Sequence, residues 1–75
     1  MSRFHFVRSF KAAFGMSPHR YRMTRRLERA RELLRRSPRP TTDIAMDLGF
    51  NTPSHFAAAY RRRFGETPSQ TRQAY

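Results

Sequence analysis

Aromatic residues recur at every fourth position near both ends of the chain: Phe6, Phe10 and Phe14, then Phe56, Tyr60 and Phe64. That spacing puts each set on one face of a helix. Each set runs into a glycine, Gly15 or Gly65, the residue best suited to close a helix. Between them Tyr21, Leu27, Ala30 and Leu34 form an apolar stripe through residues 18–36, with Arg22, Arg25, Arg26 and Arg29 largely outside it. Ser17-Pro18, Thr52-Pro53 and Thr67-Pro68 each place a capping hydroxyl before a proline suited to the first helical position. Ser2 corresponds to Thr52, so the spacing predicts a first helix over 3–14. The long helix over 18–36 ends at Ser37-Pro38-Arg39-Pro40. Thr41 or Thr42 caps a short helix over 43–48 whose Ile44, Ala45 and Leu48 face inward and whose Asp43 suits the positive end. Gly49 breaks it, and a last short helix over 68–74 is polar enough to fray. No segment alternates like a strand, so the fold class is all-α.

The two aromatic sets belong to a longer self-similarity at an offset of 50 residues. His5-Phe6 matches His55-Phe56, Phe10-Lys11 matches Tyr60-Arg61, Phe14-Gly15 matches Phe64-Gly65, Ser17-Pro18 matches Thr67-Pro68, and Arg22 matches Arg72. So many matches at one offset indicate an internal duplication. The copies are unequal: the second is preceded by the short helix and glycine turn, whereas the first begins almost at Met1.

Composition narrows the partner. In 75 residues, 16 Lys+Arg stand against 5 Asp+Glu, a net charge of +11, which suits a polyanion. Fifteen of the sixteen basic residues are arginine, Lys11 being the exception. A chain this short makes one small domain with a marginal core, so a deep enclosed active site is not expected. The absence of cysteine removes disulfides, thiolate metal sites and cysteine nucleophiles, and makes a reducing compartment the simpler setting. Nothing approaches the roughly 18 consecutive apolar residues of a membrane span, and the N-terminus lacks a secretory h-region. The expectation is a soluble, cytoplasmic protein.

A short helix, a glycine turn and a second helix starting at Thr52 make a helix-turn-helix unit, whose second helix enters the major groove. Residues 54, 57, 58 and 61 lie on its outer face. The 50-residue offset gives the first copy Phe4, Val7, Arg8 and Lys11 at the same places, with Arg8 the side chain best fitted to guanine O6 and N7. Gly49 permits the turn, and Ala45 allows close helix approach. The duplicated His5 and His55 sit at helix starts without a ligand cluster, so no metal and no cofactor is expected. Ser54 and His55 are neighbours on a helix and cannot face each other, and no third group orients them, so no catalytic site is expected.

These residues resemble the C-terminal DNA-binding domain of AraC/XylS-type transcriptional regulators. The resemblance rests on His5-Phe6, Arg8, Phe10-Lys11, Gly15, Ser17-Pro18 and Tyr21, then Arg26-Leu27, Ala30 and Leu33-Leu34. Ile44-Ala45, Gly49-Phe50, His55-Phe56, Arg61 to Gly65, Thr67-Pro68 and Arg72 extend it over essentially the whole chain. It implies two helix-turn-helix units joined by a long helix, their recognition helices reading successive major-groove segments of double-stranded DNA. The expected layout is the recognition helix of a truncated first unit over 1–17, a connecting helix over 18–37, and a complete unit over 41–75. On this resemblance the chain is expected to be a truncated regulator, without the two helices that the family places before Ser2 and without an effector-binding or oligomerising domain. Phe6, Phe10 and Phe14 are therefore expected to be exposed, loosely docked or sheltered by another chain.

On this pattern Phe4, Val7, Arg8, Ser54, Ala57 and Ala58 are the base-contact candidates. Lys11, Thr52, His55, Arg61 and Arg62 are the phosphate-contact candidates. Where the family commonly has a polar residue and an arginine, this chain has Ala57 and Ala58, which can meet only thymine methyls, so weak discrimination is expected there. Arg63 is placed to turn back toward the body, and Glu28 and Glu32 offer local partners to the arginines of the long helix. Two other readings remain open: a basic amphipathic peptide adhering to anionic membranes, and a non-functional remnant that does not fold stably.

Overall fold

The computed structural model describes the backbone of residues 3–74 and the side chains of residues 6–74. Among them are five helices and no strand: α1 (Arg3–Phe14), α2 (Pro18–Arg36), α3 (Thr41–Asp47), α4 (Pro53–Phe64) and α5 (Pro68–Gln73). Three starts follow the hydroxyl–proline pairs. The side chains of Ser17, Thr52 and Thr67 accept hydrogen bonds from the backbone N–H groups of Arg20 (3.3 Å), His55 (3.0 Å) and Gln70 (3.1 Å). Gln70 Oε1 accepts in turn from the Thr67 N–H at 2.8 Å, closing a capping box. The expected cap at Ser2 lies outside the described residues.

The start of α3 differs from expectation. It begins at Thr41, with Pro40 as N-cap and no side-chain cap. The Pro40 carbonyl accepts the Ile44 N–H at 3.2 Å, which draws Thr41 and Thr42 into the first turn, where neither hydroxyl can cap it. The other end is a Schellman closure: the Gly49 N–H reaches the Met46 carbonyl and the Phe50 N–H reaches the Ala45 carbonyl, both at 3.1 Å. This requires Gly49 at φ +88°, a region that costs other L-residues about 1–2 kcal/mol. The closure directs Phe50 inward and aims the chain at α4.

The core is built around one side of α2. Leu27, Ala30 and Leu34 meet Ile44 and Ala45 of α3, Phe50 of the turn, and Phe56 and Tyr60 of α4, all of them buried. Met23, Leu33, Leu48, Ala59 and Phe64 pack at its margin. Ala30 and Ala45 are fully buried, and their small side chains let the helices approach closely. The aromatic rings continue through the core: Phe50 to Phe56 at 5.1 Å, Phe56 to Tyr60 at 5.8 Å, Tyr60 to Phe64 at 4.7 Å.

The polar terminal segment is docked and not frayed. Tyr60 and Thr71 are both 0% exposed, and their hydroxyls share a 2.7 Å hydrogen bond. Arg72 donates from Nε to the Leu34 carbonyl at 3.4 Å and from the guanidinium Nη2 to the Ser37 carbonyl at 3.0 Å. These carbonyls lie at the end of α2, where backbone acceptors lack helical partners. Thus α5 is tied to α4 and to the C-terminal end of α2.

The first copy repeats the local geometry with different chemistry. Gly15 N–H donates to the Lys11 carbonyl and Gly65 N–H to the Arg61 carbonyl, both at 2.8 Å. At the positions equivalent to Tyr60 and Thr71 stand Phe10 and Tyr21, whose rings meet edge-on at 5.4 Å. Phe14 also reaches Tyr21, at 5.1 Å. The face is otherwise open, with Phe6 50% and Phe14 52% exposed. Along its longest axis the molecule extends 44 Å, against 21 and 19 Å across.

Two stability predictions follow from this packing. Gly49→Val should lower stability by about 1–2 kcal/mol through backbone strain alone, since an added Cβ meets only the Arg26 guanidinium, at an ordinary 3.8 Å. Thermal melting followed by circular dichroism measures it, and an unchanged midpoint rules out the left-handed turn. Tyr60→Phe should cost about 1–3 kcal/mol by stranding the Thr71 hydroxyl, whereas the double change Tyr60→Phe with Thr71→Val should recover much of the loss. Burial raises the Tyr60 pKa above the usual 10.0, so its contribution is complete below pH 10 and fades as pH climbs through the raised value. Alkaline melts of wild type and Tyr60→Phe should therefore converge.

Candidate nucleic-acid interface

The outer face of α4 follows from what its inner face must bury. With Phe56 and Tyr60 committed to the core, Ser54, His55, Ala58, Arg61 and Arg62 emerge exposed. Ala57 is half-buried and flanks this surface instead of crowning it. Thr52 is exposed, and its hydroxyl oxygen is occupied by the His55 N–H, which leaves its own proton to donate outward. The His55 ring sits edge-on to Phe50 at 5.7 Å, so the helix start is braced against the turn. On α1, Val7 is 38% exposed, and Arg8 and Lys11 are exposed. The side chains of Phe4 and His5 lie outside the described residues. Of the positions that sequence reasoning assigned to two helices, Val7, Arg8 and Lys11 are exposed on α1, and Ser54, His55, Ala58, Arg61 and Arg62 on α4.

The five carboxylates decide which cations remain available. Asp47 pairs with Arg39, and Glu32 with Arg29 at 3.0 Å. Glu28 is approached at 4.0 Å by Arg63 of α4, not by an arginine of its own helix. Arg63 also lies over the Phe64 ring at 5.0 Å, with Arg31 over the same ring at 4.4 Å, so Arg63 does turn back to the body. Arg8, Lys11, Arg61 and Arg62 face no carboxylate among the described residues. The cations of the two outer faces are thus left for an external anion, whereas Arg29, Arg39 and Arg63 are ion-paired and Arg31 is stacked.

Sequence reasoning missed two arginines. Arg72, matched to Arg22 only by the repeat, ties α5 to the end of α2. Arg26 lays its guanidinium along the glycine turn. Neither was legible locally, because each partner is a backbone segment remote in sequence. Among the described residues no group of three or more His, Cys, Asp or Glu side chains could hold a metal ion, and no helix is long and apolar enough to cross a membrane.

A short helix, a Schellman-closed turn and a capped helix with a polar, cationic outer face define a helix-turn-helix protein. Comparison with known proteins agrees: the family model described as "Helix-turn-helix domain" matches residues 1–74. The chain is 44% identical over 68 residues to the HTH-type transcriptional regulator ExsA of Pseudomonas aeruginosa, covering 91% of this chain and 24% of that protein. It is 42% identical over 66 residues to the transcriptional activator RhaS of Escherichia coli O157:H7, covering 88% of this chain and 24% of that protein. The chain therefore spans about a quarter of the length of these curated relatives. Among solved structures, the DNA-binding domain of AdpA in complex with a target DNA superposes with a TM-score of 0.94 at 33% identity, over 100% of this chain and 68% of that one. An AraC-type regulator from Chromobacterium violaceum gives 0.90 at 36% identity, over 97% of this chain and 65% of that one. The chain belongs to the AraC-type helix-turn-helix family, a family of DNA-binding transcription regulators and not of enzymes.

The two classes of arginine should separate experimentally. Arg61→Ala and Arg62→Ala should leave the melting midpoint essentially unchanged, since neither side chain has an ionic or hydrogen-bonding partner among the described residues. Arg72→Ala should cost about 1–3 kcal/mol by removing two charged donors from part-buried carbonyls. A melt of Arg72→Ala coincident with wild type would exclude α5 as a structural tie.

Proposed function

We propose that this chain is the DNA-reading part of a bacterial transcription regulator, acting in the cytoplasm on double-stranded DNA with two reading helices. Residues 41–75 form a complete helix-turn-helix unit with α4 in the major groove. Residues 1–17 present α1 as the equivalent reading helix of a first unit, and residues 18–37 join the two. The observation that carries this reading is the repeated helix–glycine–capped helix geometry, in which both copies turn carboxylate-free cations outward. The AdpA domain, so similar in fold, is itself in complex with a target DNA.

Within this reading Arg8 is the principal base reader, through a guanidinium that matches guanine O6 and N7. Val7 and Phe4 flank it, and Ser54, Ala57 and Ala58 supply a weaker code from α4, the alanines meeting thymine methyls. Lys11, Arg61 and Arg62 contact phosphate, with Thr52 and His55 fixing the start of α4 against the backbone. The exposed Phe6 and Phe14 beside Arg8 and Lys11 favour one other reading, adhesion to an anionic membrane surface.

Enrichment of duplexes from a randomised library, followed by anisotropy titration of the enriched duplex and its scramble over a salt series, tests the proposal. The enriched duplex should bind more tightly, and Arg8→Ala should remove about 1–3 kcal/mol of that preference. Arg62→Ala should weaken both duplexes alike. Equal affinity for the two, vanishing near physiological salt, would overturn sequence-specific reading. Tighter binding to anionic vesicles than to any duplex would favour the membrane surface instead.

A further inference from the structure

A groove runs between α2 and the C-terminal half of α4, and its electrostatics differ from the rest of α2. Its floor is apolar, formed by Met23 and Ala59 among others, and its rim carries Arg20, Arg62 and Arg63. No carboxylate lines it. The neighbouring furrow along α2 also carries arginines, but Glu28 and Glu32 stand among them, and Glu32 pairs with Arg29 there. Of the groove's three guanidinium groups, Arg63 is drawn off toward Glu28 and Phe64. Arg20 and Arg62 have no hydrogen-bonding or ionic side-chain partner among the described residues.

Arg20 sits in the first turn of α2, where the Ser17 hydroxyl holds its backbone N–H. A cation in a helix's first turn opposes the macrodipole, and no acidic residue occupies that turn to offset it. Nothing within the fold therefore accounts for the positive charge at this position. Across the groove, Arg62 follows Arg61 on the exposed side of α4. A rim of two unanswered guanidiniums over a carboxylate-free channel is complementary to a row of phosphates.

We propose that this groove is a phosphate seam for duplex DNA, with the backbone of one strand crossing from Arg62 on α4 to Arg20 on α2. The connecting helix then touches DNA itself and is not only a spacer between the reading helices. This inference rests on the DNA-binding reading above. It adds a contact that carries no base information and should set register and affinity.

Salt-dependent anisotropy on the full chain tests it, with the enriched duplex and its scramble as probes. Arg20→Ala should weaken binding to both duplexes equally, by about fivefold near physiological salt, and reduce the slope of log affinity against log salt by about 0.9, the value for one phosphate contact on B-DNA. Arg20→Lys should retain most of the slope. Arg29→Ala, which removes the same charge from a residue paired with Glu32 outside the groove, should leave the slope as in wild type. Unchanged thermal melting of Arg20→Ala verifies that the fold is intact. A wild-type slope for Arg20→Ala, alongside a reduced slope for Arg62→Ala, overturns the seam while the DNA-binding reading stands. No binding of wild type to any duplex overturns both. Loss of anionic-vesicle binding in Arg20→Ala without loss of duplex binding overturns the seam in favour of a lipid phosphate.

Discussion

The buried stripe of α2, Leu27, Ala30 and Leu34, is the contact on which the remaining structure depends. A chain of this size can support one core, and here that core gathers against a single stripe of a single helix. The helix α3 and the turn reach it through Ile44, Ala45 and Phe50, and α4 through Phe56 and Tyr60. The α5 segment, too polar to form a core of its own, is held at the end of the same stripe by Arg72 and by the Tyr60–Thr71 hydrogen bond. Because the inner face of α4 is fixed by this burial, its outer face is fixed too. The orientation of the outer surface of α4 is a by-product of packing.

The two copies obtain this result by different means. In the second, the aromatic face of α4 is enclosed and its polar handle satisfied, the Tyr60 hydroxyl finding Thr71 in a fully buried site. In the first, the hydroxyl-bearing ring has moved to the other helix: Phe10 stands where Tyr60 would, and Tyr21 where Thr71 would. Edge-to-face contact replaces the hydrogen bond, which suits a face left open on its far side. The local corner between aromatic helix and capped helix is thus preserved, while the covering layer that α3 and Phe50 supply to α4 has no counterpart over α1 among the described residues.

Charge is distributed with the same economy. A net charge of +11 opposes compaction, and three carboxylates offset part of it: Glu28 across to Arg63 of α4, Glu32 to Arg29 one turn away within α2, and Asp47 of α3 to Arg39 of the preceding segment. Among the described residues Arg8, Lys11, Arg20, Arg61 and Arg62 receive none. Position in an arginine-rich segment does not decide whether a guanidinium has a partner within the described structure. Arg61, Arg62 and Arg63 are consecutive, yet the third stacks on Phe64 and faces Glu28 while the first two face outward.

Helix boundaries, the duplicated corner and the composition of the outer faces of α1 and α4 were legible from the amino acids, because caps, glycine closures and a four-residue aromatic period act over one or two turns. The same rules misplaced the start of α3, where the Pro40 carbonyl and not a threonine hydroxyl organises the first turn. They also left α5 free to fray, since the value of Thr71 and Arg72 lies in partners 11 and 35 to 38 residues away. The sequence by itself determined which helices form, where they stop and which faces are apolar, all consequences of local backbone chemistry and periodicity. Only the tertiary structure decided which arginines are consumed by the fold, which stand unpaired, and that two of the latter line one groove between helices distant in the chain. Pairing and isolation of charge depend on distances through space, and no local pattern encodes them.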